Sequence, residues 1–175
     1  MEKKHLILVG FMGSGKSTIG QVLANKLKLT FVDTDRLIEK QQGCSISKIF
    51  EQFGEATFRQ METEVLRELL KEEKPLIIST GGGLPLKEEN VRILKELGFV
   101  IMLDVNKFTV LRRLKKDTTR PLLKGYNVEE KVDKLLTYRR EYYEAAADRI
   151  VDVNTSSVEQ IVNVICSSYK TKGEC

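Results

Sequence analysis

The feature that most constrains this chain is a set of apolar runs that do not alternate. HLILVG (5–10), PLIIST (75–80) and FVIMLD (99–104) are nearly continuous in aliphatic and aromatic residues. A strand with one face in water would alternate. Unbroken runs suit strands buried on both faces, as in a parallel sheet covered by helices. TFVD (30–33) and RIVDV (149–153) read as two further, shorter strands. Between the five lie stretches with helical patterning: about Lys16 to Leu27, Arg36 to Gln41, Ile46–Phe53, Glu55–Lys71, Lys87–Glu96, 107–116, 129–147 and 158–169. This alternation predicts an α/β fold of three layers, a central five-stranded parallel sheet with helices on both faces. With no repeat, low-complexity tract or linker, the 175 residues are expected to form one domain, 1–175.

Composition narrows the function classes. No apolar stretch approaches the roughly 18 residues of a membrane span, and MEKKHLILVG runs too soon into glycine to be a signal peptide. The 29 basic residues are interspersed with 25 acidic ones, for a net charge of +4. That fits a solvated surface with some arginines kept for small anionic ligands, rather than a nucleic-acid or membrane partner. Cys44, Cys166 and Cys175 lack metal-ligand spacing and fit free thiols in a reducing cytoplasm. The only histidine, His5, lies at the start of the first strand and argues against cysteine–histidine catalysis.

GFMGSGKS, Gly10 to Ser17, matches G-x-x-x-x-G-K-[ST] between a buried strand and a helix. Gly10, Gly13 and Gly15 let the backbone wrap a phosphate, with Ser14 and Thr18 in the same wrap. The helix N-terminus stabilises the anion. Lys16 is expected on the β- and γ-phosphates of ATP and Ser17 on Mg²⁺. Asn106-Lys107 is followed by Thr109 where a guanine-reading motif needs Asp, so a GTPase is disfavoured.

Further segments bear on the acceptor and on a lid. VDTD (32–35) ends a strand where ligands gather in open α/β sheets. Asp33 is assigned to the Mg²⁺ hydration shell and Asp35 to acceptor hydroxyls, with helix capping by Asp33 or Thr34 as the alternative. Arg59, Arg139 and Arg140 read, on their residues alone, as solvated helix charges, with ligand contacts as the alternative. The segment 111–125 leaves a helix through polar residues and reaches Arg120-Pro121, where proline biases Arg120 away from helix. An arginine there can swing onto transferring phosphoryl oxygens or be an ordinary loop charge. Asp104 is read as the cap of the 107–116 helix. STGGG (79–83) removes side chains where a buried strand ends.

In this order and spacing, GFMGSGKST, VDTD, FGEATFR, STGGG, TTRPLL and R-x-x-x-Y-E at 139–144 resemble the shikimate kinase family over nearly the whole chain. The resemblance implies a P-loop kinase fold with an acceptor-binding segment of about 34–62 and a mobile lid of about 112–127. It implies ATP-dependent phosphorylation of the 3-hydroxyl of shikimate. It further implies Asp35 on the acceptor's ring hydroxyls, Arg59 and Arg139 on its carboxylate, Gly81, Gly82 and Gly83 beside it, and Arg113 and Arg120 at the nucleotide and lid. Lys16, Asp35 and Arg120 are then the catalytic set, Ser17 and Asp33 the metal side, and a cytoplasmic monomer the expected form. A kinase for another hydroxylated acid, such as gluconate, and a non-catalytic nucleotide-binding homologue are the alternatives.

Overall fold

The computed structural model describes residues 5–115 and 127–170. Five strands form one sheet: β1 (His5–Val9), β2 (Thr30–Asp33), β3 (Leu76–Ser79), β4 (Gly98–Asp104) and β5 (Arg149–Asp152). Their order is β2-β3-β1-β4-β5, and every pairing is parallel. The three long apolar runs are the three inner strands, which explains why they do not alternate. Every residue of β1 and β3 is buried, whereas the edge strands β2 and β5 are partly exposed. Each aliphatic side chain withdrawn from water in β1 contributes about 1.5–3 kcal/mol to folding.

Among the described residues seven α-helices cover the sheet: α1 (Lys16–Leu27), α2 (Thr34–Gln42), α3 (Ile46–Leu69), α4 (Glu88–Leu97), α5 (Lys107–Leu114), α6 (Val128–Ala146) and α7 (Val158–Lys170). Among the described residues none is long and apolar enough to cross a membrane. α3 merges the two helices expected at 46–53 and 55–71, and a kink remains between them. Gly54 sits there at φ 78° and ψ 170°, outside helical geometry.

Two capping details depart from expectation. α2 begins at Thr34 rather than Arg36, because Asp33 accepts from the backbone N–H of Asp35 and Arg36 and closes the first turn early. Asp104 does not cap α5. Asn106 does, accepting from Thr109 N at 2.9 Å, while Asp104 takes both Nη1 and Nη2 of Arg140 at 3.0 and 3.2 Å. The cap therefore falls immediately before the helix, where its oxygen can reach the N3 amide, and Arg140 is a structural partner. His5 is buried in β1, where its Nδ1 accepts from Leu76 N at 3.1 Å.

The sheet order also fixes where a ligand can sit. β1 and β3 are neighbours, yet the chain leaves β1 toward β2 and leaves β3 toward β4, on opposite sides. The crevice beyond their carboxyl ends is the switch point at which open α/β sheets bind ligands.

Candidate active site

At that crevice lies a pocket of about 430 Å³. Its phosphate-loop end is made of the turn after β1. Gly15 stands at φ 95° and ψ 14°, a left-handed conformation that L side chains rarely adopt, and α1 opens at the next residue. The first turn of α1 carries no acidic residue, so the positive end of the helix is left for an anionic ligand. Lys16 Nζ donates to Gly10 O at 2.7 Å and Phe11 O at 3.1 Å. Gly13, Gly15, Lys16, Ser17 and Thr18 all line the pocket. Ser14, also expected at the nucleotide, has a fully buried side chain that does not reach the lining.

Arg113 lines the pocket as well, held between two backbone carbonyls. Its Nη1 donates to Gly13 O at 2.8 Å and its Nη2 to Val153 O at 3.0 Å, tying the loop to the end of β5. Burial, and secondarily Arg112, lowers its pKa.

Asp33 divides its two oxygens. Oδ1 caps α2, and Oδ2 accepts from Ser17 Oγ at 3.4 Å. Among the described residues no group of three or more His, Cys, Asp or Glu could hold a metal. The Ser17–Asp33 pair fits a magnesium ion that takes its remaining ligands from water and phosphate, as that cation does beside nucleotides.

The opposite end of the pocket is lined from four places in the chain: Asp35 of α2, Arg59 and Glu62 of α3, the backbone of Gly81–Gly83 after β3, and Arg139 of α6. The amphipathic pattern of α3 puts Phe58, Glu62, Val65, Leu66 and Leu69 on its buried side, with Arg59 beside them at the pocket. Arg59 Nη1 donates to Glu62 Oε2 at 2.8 Å; its Nη2 and Nε reach Glu55 Oε1 at 2.9 and 3.3 Å. Burial opposes the guanidinium charge, but Glu62 and Glu55 together hold its pKa above the ordinary value. Glu62 is 1% exposed, and its carboxyl is pushed up to about 7. Burial is the main cause; Arg59 pulls against it and the Asp35 charge adds to it. Glu62 Oε1 and Arg139 Nε are buried without a hydrogen-bond partner among the described residues, and both residues line the pocket, which suits a polar ligand there.

The three glycines serve the side chains around them. A Cβ on Gly81 would stand 2.5 Å from Asp35 Oδ1 and 3.0 Å from Glu62 Oε1. One on Gly83 would stand 2.6 Å from Arg59 Nη2 and closer still to Nη1. Gly82 has ordinary room, with Arg139 Nη1 at 3.7 Å. The triplet therefore lets one carboxylate pair and one guanidinium close onto the backbone, besides leaving a ligand space. Gly81 N donates to Thr34 Oγ1 at 3.0 Å, and Tyr143 Oη donates to Gly82 O at 2.6 Å, pinning the turn from both sides. Burial raises the Tyr143 phenol to about 12.

Thus Asp33, Asp35, Arg59, Gly81, Gly82, Gly83, Arg113 and Arg139 share one pocket with the phosphate loop. Arg120 and most of the expected lid lie outside the described residues. Sequence reasoning named no role for Glu62, Glu55 or Tyr143, and weighed Thr34 only as a helix cap. Glu62 left a trace: an acidic residue on the apolar stripe of a helix, where an unpaired charge is rare.

Comparison with known proteins agrees with this geometry. The family model described as Shikimate kinase matches residues 12–170. The shikimate kinase of Thermodesulfovibrio yellowstonii is 40% identical over 167 residues, 95% of each chain. That of Sulfurihydrogenibium sp. is 44% identical over 169 residues, 97% of this chain and 99% of its own. Among solved structures, the Acinetobacter baumannii shikimate kinase in complex with shikimate superposes at TM-score 0.89 with 36% identity, over 97% of this chain and 94% of that one. A gluconokinase from Sinorhizobium meliloti, at TM-score 0.62 and 15% identity, covers 99% of this chain and 95% of its own and shares the fold alone. On sequence and fold together, the chain belongs to the shikimate kinase family of phosphotransferases.

Proposed function

We propose that this chain transfers the γ-phosphoryl group of ATP to the 3-hydroxyl of shikimate, giving shikimate 3-phosphate and ADP. One observation carries the assignment of roles: a single pocket has a phosphate loop at one end and two acidic side chains, two arginines and a glycine turn at the other. A cyclic polyhydroxy carboxylate matches that second end. Arg59 and Arg139 take the carboxylate, for which the planar guanidinium fork is suited. Asp35 accepts from the ring hydroxyls and orients the attacking one.

In the transfer, the acceptor oxygen forms a bond to γ-phosphorus as the bond to the bridging β,γ-oxygen breaks. The hydroxyl proton passes to Asp35. Lys16 leaves the Gly10 and Phe11 carbonyls for the β- and γ-phosphate oxygens, and Arg120 adds a second positive charge from the lid. A magnesium ion held by Ser17 directly and by Asp33 through water would neutralise phosphate charge. Such a reaction asks the protein mainly for positioning and electrostatic stabilisation. Water is a competing acceptor, so closure of the lid over both substrates is part of the proposal. A monomer in the cytoplasm is the form we expect.

The test is ADP release with ATP alone and with added shikimate, gluconate or a nucleoside monophosphate. The reading expects release that depends on shikimate. Equal stimulation by gluconate, or none by any acceptor, would contradict it.

A further inference from the structure

Arg59 enters the pocket with its donors already in use by two glutamates of its own helix, and the two are not equivalent. Glu62, one turn later, is 1% exposed and takes Nη1 at 2.8 Å. Glu55, one turn earlier, has a side chain 66% exposed and puts one oxygen on both Nη2 and Nε, at 2.9 and 3.3 Å. That second edge is one of the guanidinium edges on which a carboxylate docks side by side, as a fork on a fork. The Glu55 carboxylate therefore occupies a position that an acceptor carboxylate would need.

Only one of the two glutamates can yield. Glu62 is enclosed by α3, Asp35 and the glycine turn, and withdrawing Arg59 would leave its buried carboxyl without its hydrogen-bonded partner. Glu55 returns to water at small cost, because an exposed helical ion pair of this spacing is weak. Its backbone helps. Glu55 follows Gly54, whose φ of 78° and ψ of 170° break the helix at that point.

We propose that Glu55 is a stand-in for the acceptor's carboxylate, holding the outer edge of Arg59 until shikimate displaces it while Glu62 keeps the guanidinium in place. The inference rests on the assignment of Arg59 to the acceptor's carboxylate. Two consequences follow. Acceptor affinity is lowered by the fraction of molecules in which Glu55 holds Arg59. An acceptor without a carboxylate does not displace Glu55 and gains nothing from its removal. Glu55 thereby contributes to specificity without entering the bound complex.

The experiment measures KM and kcat for shikimate, and direct binding of shikimate and of its analogue with a hydroxymethyl group in place of the carboxylate. It uses wild type, Glu55→Gln and Arg59→Ala, with thermal melts to verify folding. Glu55→Gln keeps the shape of the side chain and removes its charge. It should tighten shikimate by about two- to fivefold, the scale of a weak competing ion pair, leave kcat unchanged and leave the analogue unaffected. Unchanged or weakened shikimate binding in Glu55→Gln overturns the stand-in role, as does equal tightening of the analogue. Arg59→Ala separates the two levels of the argument. If it weakens shikimate while Glu55→Gln fails to tighten it, the stand-in alone is wrong. If Arg59→Ala leaves shikimate binding unchanged, the assignment of Arg59 falls and the stand-in with it.

Discussion

The two ends of the pocket keep their cations in different company. At the phosphate-loop end, the hydrogen bonds that Lys16 makes within its own loop go to two neutral carbonyls. At the acceptor end, Arg59 rests on two carboxylates, one of them buried. A lysine on carbonyls turns to a phosphate by exchanging weak hydrogen bonds for charge-assisted ones. An arginine on carboxylates has its charge already balanced, so an incoming anion must replace a partner of the same sign. The phosphate end is thus tuned by backbone shape, and the acceptor end by the balance of a small group of charges.

Changes to each end should break that contrast to different degrees. The largest effect is expected at the loop. Lys16→Ala should lower turnover by roughly a thousandfold, the scale of losing a positioned charge at the transferring group, while the thermal melt stays near wild type. Activity within about tenfold of wild type would remove Lys16 from the phosphates. Arg120→Ala should lower kcat by roughly a hundredfold and change shikimate affinity far less. An unaltered kcat in steady-state assays would make Arg120 an ordinary loop charge.

The smallest effect concerns the acceptor-end charges without any ligand. Glu62 holds its proton up to about pH 7 in the fold, against an ordinary glutamate near about 4.3. The folded chain therefore binds this proton more tightly than the unfolded one. Its stabilising contribution is complete below about pH 4.3 and is lost as pH rises through about 7. Arg59, Arg139 and Asp35 face the same carboxyl and set how far it is shifted. Glu62→Gln cannot titrate, so the fall in Tm between about pH 5 and 7 should flatten by roughly 2–5 °C. Parallel Tm profiles for the variant and wild type would show that Glu62 does not titrate there.

The same contrast explains how much was legible beforehand. The phosphate loop is contiguous: its glycines, lysine and serine are neighbours in sequence because one turn of backbone makes the site. The parallel sheet was equally legible, since burial on both faces leaves an unbroken apolar run. The acceptor end is assembled from α2, α3, the turn after β3 and α6, so no single segment displays it. Arg59 alone reads as a surface charge; only resemblance raised it above that. Glu55 and Glu62 went unassigned because their meaning depends on which carboxylate is buried, and burial comes from how α3 packs. The Asp104 cap failed for a local reason: Asn106, two residues later, stands at the position from which a side chain can reach the helix's free amides. The three glycines carry a second reason that the sequence did not display, since Gly81 and Gly83 also make room for Asp35, Glu62 and Arg59.

If the acceptor end recognises a carboxylate through the geometry of Arg59, two ligands that differ only in that carboxylate should respond differently to one substitution. Shikimate and its hydroxymethyl analogue would be titrated into wild type and Arg59→Lys, which keeps the charge and loses the fork. The account predicts that shikimate weakens by at least about tenfold, or roughly 1.4 kcal/mol. It predicts that the analogue, already poor, hardly changes, because the interaction between the two alterations isolates one contact. Equal losses for both ligands would mean that Arg59 acts through the packing of α3 rather than on the carboxylate, and would contradict the account.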